Sequence, residues 1–132
     1  MKKVKYFSPA IFWGMVVLVL LSLPGGYIPH ITTFADWLQW DKITHLILFG
    51  VFSYALLWGF YKSGTVSKAT YVLVFLLSVL FGGLTECLQY LLDMGRNGNT
   101  YDFCANCLGV GLGCFVFFLK IKKEKTRGQV NE

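Results

Sequence analysis

The chain has 132 residues, of which 55% are apolar and only 14% charged, and it carries a net charge of +5. A soluble domain has about 25% charged residues, and a chain this short has too little interior to hide so much apolar surface, so the expected solvent is lipid. Nucleic acid is not an expected partner. The lysines sit at the edges of apolar runs (Lys2, Lys3 and Lys5; Lys62 and Lys68; Lys120 to Arg127), where basic residues anchor to headgroups and set topology. No basic helix or aromatic–basic stripe accompanies them.

Four apolar runs follow in order: Phe7–Leu23, Thr44–Tyr61, Ala69–Leu92 and Phe103–Ile121. Each is close to the roughly 20 residues a helix needs to cross hydrocarbon. Helix is the default there, because every backbone group in lipid must be paired within its own segment. The short alternating segments of a β-barrel are absent. The fold class expected is all-α, an integral membrane four-helix bundle over residues 1–121. A cleaved signal peptide is the alternative for the first run, but "LSLPGGYIP" is a poor cleavage site. The polar residues 122–132 have no apolar period and are expected to form a disordered cytoplasmic tail.

Basic residues mark the N-terminus, the Lys62–Lys68 connection and the C-terminal tail, whereas Pro24–Trp40 has none and Asp93–Tyr101 only Arg96. Positive-inside therefore predicts both termini on the cytoplasmic side of a multi-pass membrane protein, with these two connections outside. Within the first, "TFAD" (Thr33–Asp36) matches a capping box. The aromatic stretch after it reads equally as an interfacial helix or as an extension of the second membrane helix.

The polar residues then converge. Asp41, Lys42 and His45 open the second helix, Glu86 and Gln89 close the third, and Asp102 and Asn106 open the fourth. Asp41 and His45 are four apart, as are Asp102 and Asn106, while Glu86 and Gln89 are three apart. Each set therefore shares a helix face, and polar stripes in a membrane helix turn toward the bundle interior or a water-filled cleft. Small residues continue these stripes, Ser78 and Gly82 before Glu86, and Gly109 and Gly113 beyond Ala105 and Asn106. Small-xxx-small faces let backbones approach, so the third and fourth helices are expected to pack together with their carboxylates close. Arg96 can fold over the same cluster.

"DKITH" (Asp41–His45), "GGLTECLQ" (Gly82–Gln89) and the set Arg96, Asp102, Asn106, Gly109 together resemble the signature of the VanZ-like family, over roughly Pro24 to Gly113. The family is named for a bacterial membrane protein associated with low-level resistance to teicoplanin, a glycopeptide antibiotic. The resemblance implies a site made of Asp41, Lys42, His45, Glu86, Gln89, Arg96, Asp102 and Asn106 in a bacterial plasma membrane, without implying what it does.

Three uses of the cluster stay open. It can be structural, with Asp41 and Asp102 serving helix N-termini. It can bind a membrane lipid headgroup, a lipid-linked cell-wall precursor or a glycopeptide, with Arg96 and Lys42 gripping an anionic group. Or it can be an enzyme, with Asp41, His45, Glu86 and Asp102 as metal ligands or Glu86 and His45 as an acid–base pair acting on a lipid-linked substrate. No H-E-x-x-H or similar motif is present, and no cofactor is expected. Ser53 and Ser78 lie too deep to serve as nucleophiles. Cys104 and Cys107 are expected, like Cys87, to be small buried packing residues, with an outer-side disulfide left open. Cys114 is a mid-membrane packing residue. A transporter is disfavoured because the midplane of every run is apolar or small.

Overall fold

The computed structural model describes residues 3–22, 40–92 and 100–130, with backbone alone at 40 and 128–130. A 3-10 turn, Val4–Phe7, leads into α1 (Ser8–Leu21). The other helices are α2 (Trp40–Lys62), α3 (Lys68–Leu92) and α4 (Thr100–Val130). Four segments are long and apolar enough to span a membrane: Val4–Leu21, Asp41–Lys62, Lys68–Leu92 and Thr100–Arg127. The expected four-helix, all-α membrane bundle is thus present. The Thr33–Asp36 capping box and the aromatic stretch behind it lie outside the described residues, as does Arg96.

Burial is inverted relative to a water-soluble domain. Large apolar side chains such as Phe12, Met15, Leu76, Leu80, Leu112 and Phe115 face outward, while His45, Ser53, Ser78, Thr85 and Asn106 are buried inside. Outward apolar groups cost nothing in hydrocarbon, whereas polar groups there would go unsatisfied. Two apolar clusters fill the remaining interior, one around Val17, Phe49 and Val110, the other around Leu57, Val74 and Phe117.

The tightest approach in the bundle is between α2 and α4. A Cβ on Gly109 would overlap the Leu46 carbonyl, and one on Gly113 would overlap the Gly50 carbonyl and Ser53 Oγ. The Ser53 hydroxyl lies 3.0 Å from its own-helix Gly50 carbonyl and 3.2 Å from the Val110 carbonyl of α4. The glycine face of α4 therefore closes on α2, not on α3 as the spacing suggested. Helical spacing shows that a face is small, but not which neighbour it meets. The α3–α4 contact falls one turn higher, where a Cβ on Gly82 would sit 3.2 Å from Asn106 Cβ.

The helix ends are tied down locally. Ser67 and Thr70 cap α3 reciprocally: the Thr70 amide donates to Ser67 Oγ at 3.2 Å and the Ser67 amide to Thr70 Oγ1 at 3.0 Å. Trp13 Nε1 donates to the Leu48 carbonyl at 2.9 Å, joining α1 to α2.

At the opposite end from the polar cluster, Lys120 Nζ lies 3.9 Å from the Trp58 ring centroid, and Lys62 Nζ 4.7 Å from it. Tyr61 donates to Glu124 Oε2 at 3.0 Å. Here α4 runs on as helix to Val130, where composition led us to expect a disordered tail from residue 122. The Lys, Glu and Arg residues of this stretch are good helix formers, and the spanning segment has already met the cost of nucleation.

Candidate functional site

The cluster forms because three helix ends meet at one level. Asp41 lies in the first turn of α2 and Asp102 in the first turn of α4. The orphan amides of a helix start favour negative charge there. Glu86 comes up from the end of α3, where Gly82, one turn below, leaves room for the Asn106 amide.

Two charge groups result. In the first, Asn106 Nδ2 donates to Glu86 Oε1 at 3.1 Å, and Asn106 Oδ1 lies 2.9 Å from His45 Nδ1. Glu86 Oε1 is itself 3.5 Å from that ring nitrogen. His45 and Asn106 are completely buried. In the second group, Lys42 Nζ stands 3.9 Å from Asp102 Oδ1 and 5.6 Å from the Tyr101 ring centroid. The two groups touch where His45 Nε2 lies 3.9 Å from Asp41 Oδ1. One ligand atom from each of Asp41, His45 and Asp102 falls within 4.8 Å of the others.

The pairing dictates a tautomer. The Asn106 amide turns its NH2 toward Glu86, which accepts, and its carbonyl toward His45. That carbonyl needs a donor, so Nδ1 of His45 carries the proton. In the neutral ring Nε2 then holds a lone pair, directed toward Asp41.

Of the residues expected here from sequence, Asp41, Lys42, His45, Glu86, Asp102 and Asn106 come together. Gln89 goes elsewhere: its Nε2 donates to the Leu21 carbonyl at 3.1 Å, serving an orphan acceptor at the end of α1. Glu86 is held by Asn106, while Asp102 faces α2.

Cys87, Cys104 and Cys107 depart from expectation as well, whereas Cys114 packs as expected. All four are free thiols, with Cys87 and Cys104 exposed and Cys107 and Cys114 half-buried. Only Cys114 packs against the apolar clusters. Ser53 and Ser78 are fully buried away from this end.

The constellation now rests on geometry as well as on order in the chain, and residues 4–121 match the VanZ/LLP1 family model. The chain belongs to the VanZ-like family. No curated protein and no solved structure matches it. Its four apolar spanning helices are consistent with a multi-pass plasma-membrane protein.

Beside the cluster the VanZ-like bundle has a groove between α3 and α4, of about 490 Å³, lined by Gly83, Glu86, Cys87, Tyr90, Leu91, Thr100 and Phe103. That is within the range of small-molecule sites. Sequence reasoning singled out Glu86 from this set and passed over the rest. Gly83 was the available signal, since the second glycine of "GGLTE" opens the helix surface at that point.

Proposed function

We propose that this VanZ-like protein binds a membrane amphiphile, holding its polar head at the Asp41–Asn106 cluster and its apolar part in the α3–α4 groove. The observation that carries this reading is that Glu86 belongs to both. It lines the groove and accepts from Asn106 inside the cluster. Apart from Glu86 and Thr100, the groove wall is apolar, aromatic or cysteine, which suits a hydrocarbon or ring. The polar head would meet carboxylate and amide acceptors and the Lys42 ammonium, with Arg96 as a second cation. A phospholipid headgroup, a lipid-linked cell-wall precursor and a glycopeptide all have that chemistry.

The basic residues at both termini and at Lys62–Lys68 support cytoplasmic termini by positive-inside. This orientation puts the cluster at the outer leaflet, where such ligands are reached. That orientation and the family membership support a role in glycopeptide (teicoplanin) resistance or envelope homeostasis.

Native mass spectrometry of the gently extracted protein tests the reading, comparing wild type with Gly83→Trp and Glu86→Gln. A discrete amphiphile adduct in wild type, lost when the indole fills the groove and weakened by Glu86→Gln, is expected. An adduct retained equally in both variants, or no adduct in wild type with its own lipids present, would refute it.

A further inference from the structure

We infer that Asp41, His45 and Asp102 form a binding site for a first-row divalent cation such as Zn2+ or Mn2+. The starting point is His45. Its side chain is fully buried, and its Nε2 has no hydrogen-bond partner among the described residues. A buried imidazole nitrogen left this way forfeits its hydration with nothing in return. The Asn106–Glu86 pair fixes the proton on Nδ1, so Nε2 is a lone-pair donor facing Asp41 Oδ1 at 3.9 Å. A lone pair directed at a carboxylate is unfavourable unless an electrophile lies between them.

A cation meets that requirement. The three donor atoms lie within 4.8 Å of one another. In a tetrahedral site with donors at about 2.1 Å from the ion, the donors stand about 3.4 Å apart, so the longest separation must close by up to about 1.4 Å. Asp41 can supply it, its side chain being 41% exposed.

The partners that would orient the ligating ring are already in place. A metal-ligating histidine characteristically donates its other ring nitrogen to a carbonyl or carboxylate, which fixes the tautomer and raises ligand basicity. His45 does this through Asn106, which Glu86 orients in turn. Glu86 is therefore a positioning residue. One imidazole with two carboxylates suits first-row transition ions better than Mg2+ or Ca2+, which take oxygen ligands. Lys42 Nζ, 3.9 Å from Asp102, is the competing cation on this face, and its 30% exposed side chain can swing toward solvent.

The site involves no groove residue other than Glu86, and its readout is a metal, so it stands or falls separately from amphiphile binding. The full chain in nanodiscs, stripped with chelator, is titrated with Co2+, whose visible ligand-field bands report its donors. A background with Cys87, Cys104 and Cys107 changed to alanine removes thiolate ligation. One Co2+ per chain, displaced by Zn2+ and not by Mg2+, is expected.

Glu86→Gln should weaken binding on the order of 10- to 100-fold, as loss of an orienting partner does, and Asp41→Asn or Asp102→Asn at least as much. Lys42→Met should tighten it. Asp41→Asn is conservative and partly exposed, so its effect is not one of misfolding. No visible band in wild type, binding unchanged in Asp41→Asn and Asp102→Asn, or binding that vanishes with the cysteines would each overturn the site.

Discussion

Replacing Gly109 by alanine should loosen the bundle, whereas the same change at Gly111, two residues along α4, should not. A Cβ on Gly109 would fall on the Leu46 carbonyl oxygen and sit 2.9 Å from both Leu46 Cα and its carbonyl carbon. Those are backbone atoms of a spanning helix and cannot rotate away. Overpacking of this kind costs about 1–3 kcal/mol, and the better helix propensity of alanine returns at most about 1 kcal/mol. With the full return, the net expectation is a loss of up to about 2 kcal/mol. A Cβ on Gly111 would meet nothing within 4 Å, so Gly111→Ala should be neutral or up to about 1 kcal/mol stabilising. Unfolding in mixed micelles with increasing SDS, followed by tryptophan fluorescence, ranks the variants. If Gly109→Ala matches or exceeds Gly111→Ala in stability, the close α2–α4 approach is wrong.

Other substitutions separate structural from functional polar residues. Gln89→Leu removes the hydrogen bond to Leu21 and should cost about 1 kcal/mol in the same unfolding assay. Cation and amphiphile retention should persist, and their loss would place Gln89 in the site after all. Asn106→Ala deprives both His45 Nδ1 and Glu86 Oε1 of a buried partner. It should cost about 2–3 kcal/mol and also weaken Co2+ binding; an unaltered Co2+ spectrum and affinity would remove the tautomer argument. Trp13→Phe keeps the ring and loses only the bond to Leu48, so a drop of about 1 kcal/mol without change in either ligand is expected, and a null effect would show that this link between α1 and α2 contributes nothing net.

Much of the architecture was legible because lipid constrains backbone so strictly. Length and hydropathy locate the four helices, and the i, i+4 spacing of Asp41 with His45, and of Asp102 with Asn106, places these residues on shared faces. Rotation of each helix about its axis was not legible. Gly109 and Gly113 mark a close approach, but its other half on α2 is Gly50 with Leu46 and Ser53, which is no small-xxx-small pattern. Gln89 looked like a site residue because it shares a face with Glu86. One turn of helix is enough to carry it to the end of α1 instead. The helical stretch past Lys122 was missed because composition describes a segment in isolation, while this one is propagated from a helix already formed.

The division of the cluster bears on why a membrane protein keeps it. A structural role would be fulfilled by pairing every charge, and the Glu86–Asn106–His45 chain does that on one side. The chain ends, however, on a nitrogen that accepts and has nothing to accept from among the described residues. Replacing such a chain with packed apolar groups is often neutral or stabilising. Folding alone therefore gives little reason to set a histidine, an asparagine and a glutamate together at one level of a bundle whose other buried polar side chains, such as Ser53, Thr85 and Gln89, bond to backbone carbonyls. What the arrangement does achieve is direction: it fixes which nitrogen of His45 is basic, and it points that nitrogen at two carboxylates near the helix ends. Glu86 meanwhile keeps one face on the α3–α4 groove. A site for a cation and a neighbouring amphiphile uses each of these features, and a purely structural cluster uses only the hydrogen bonds.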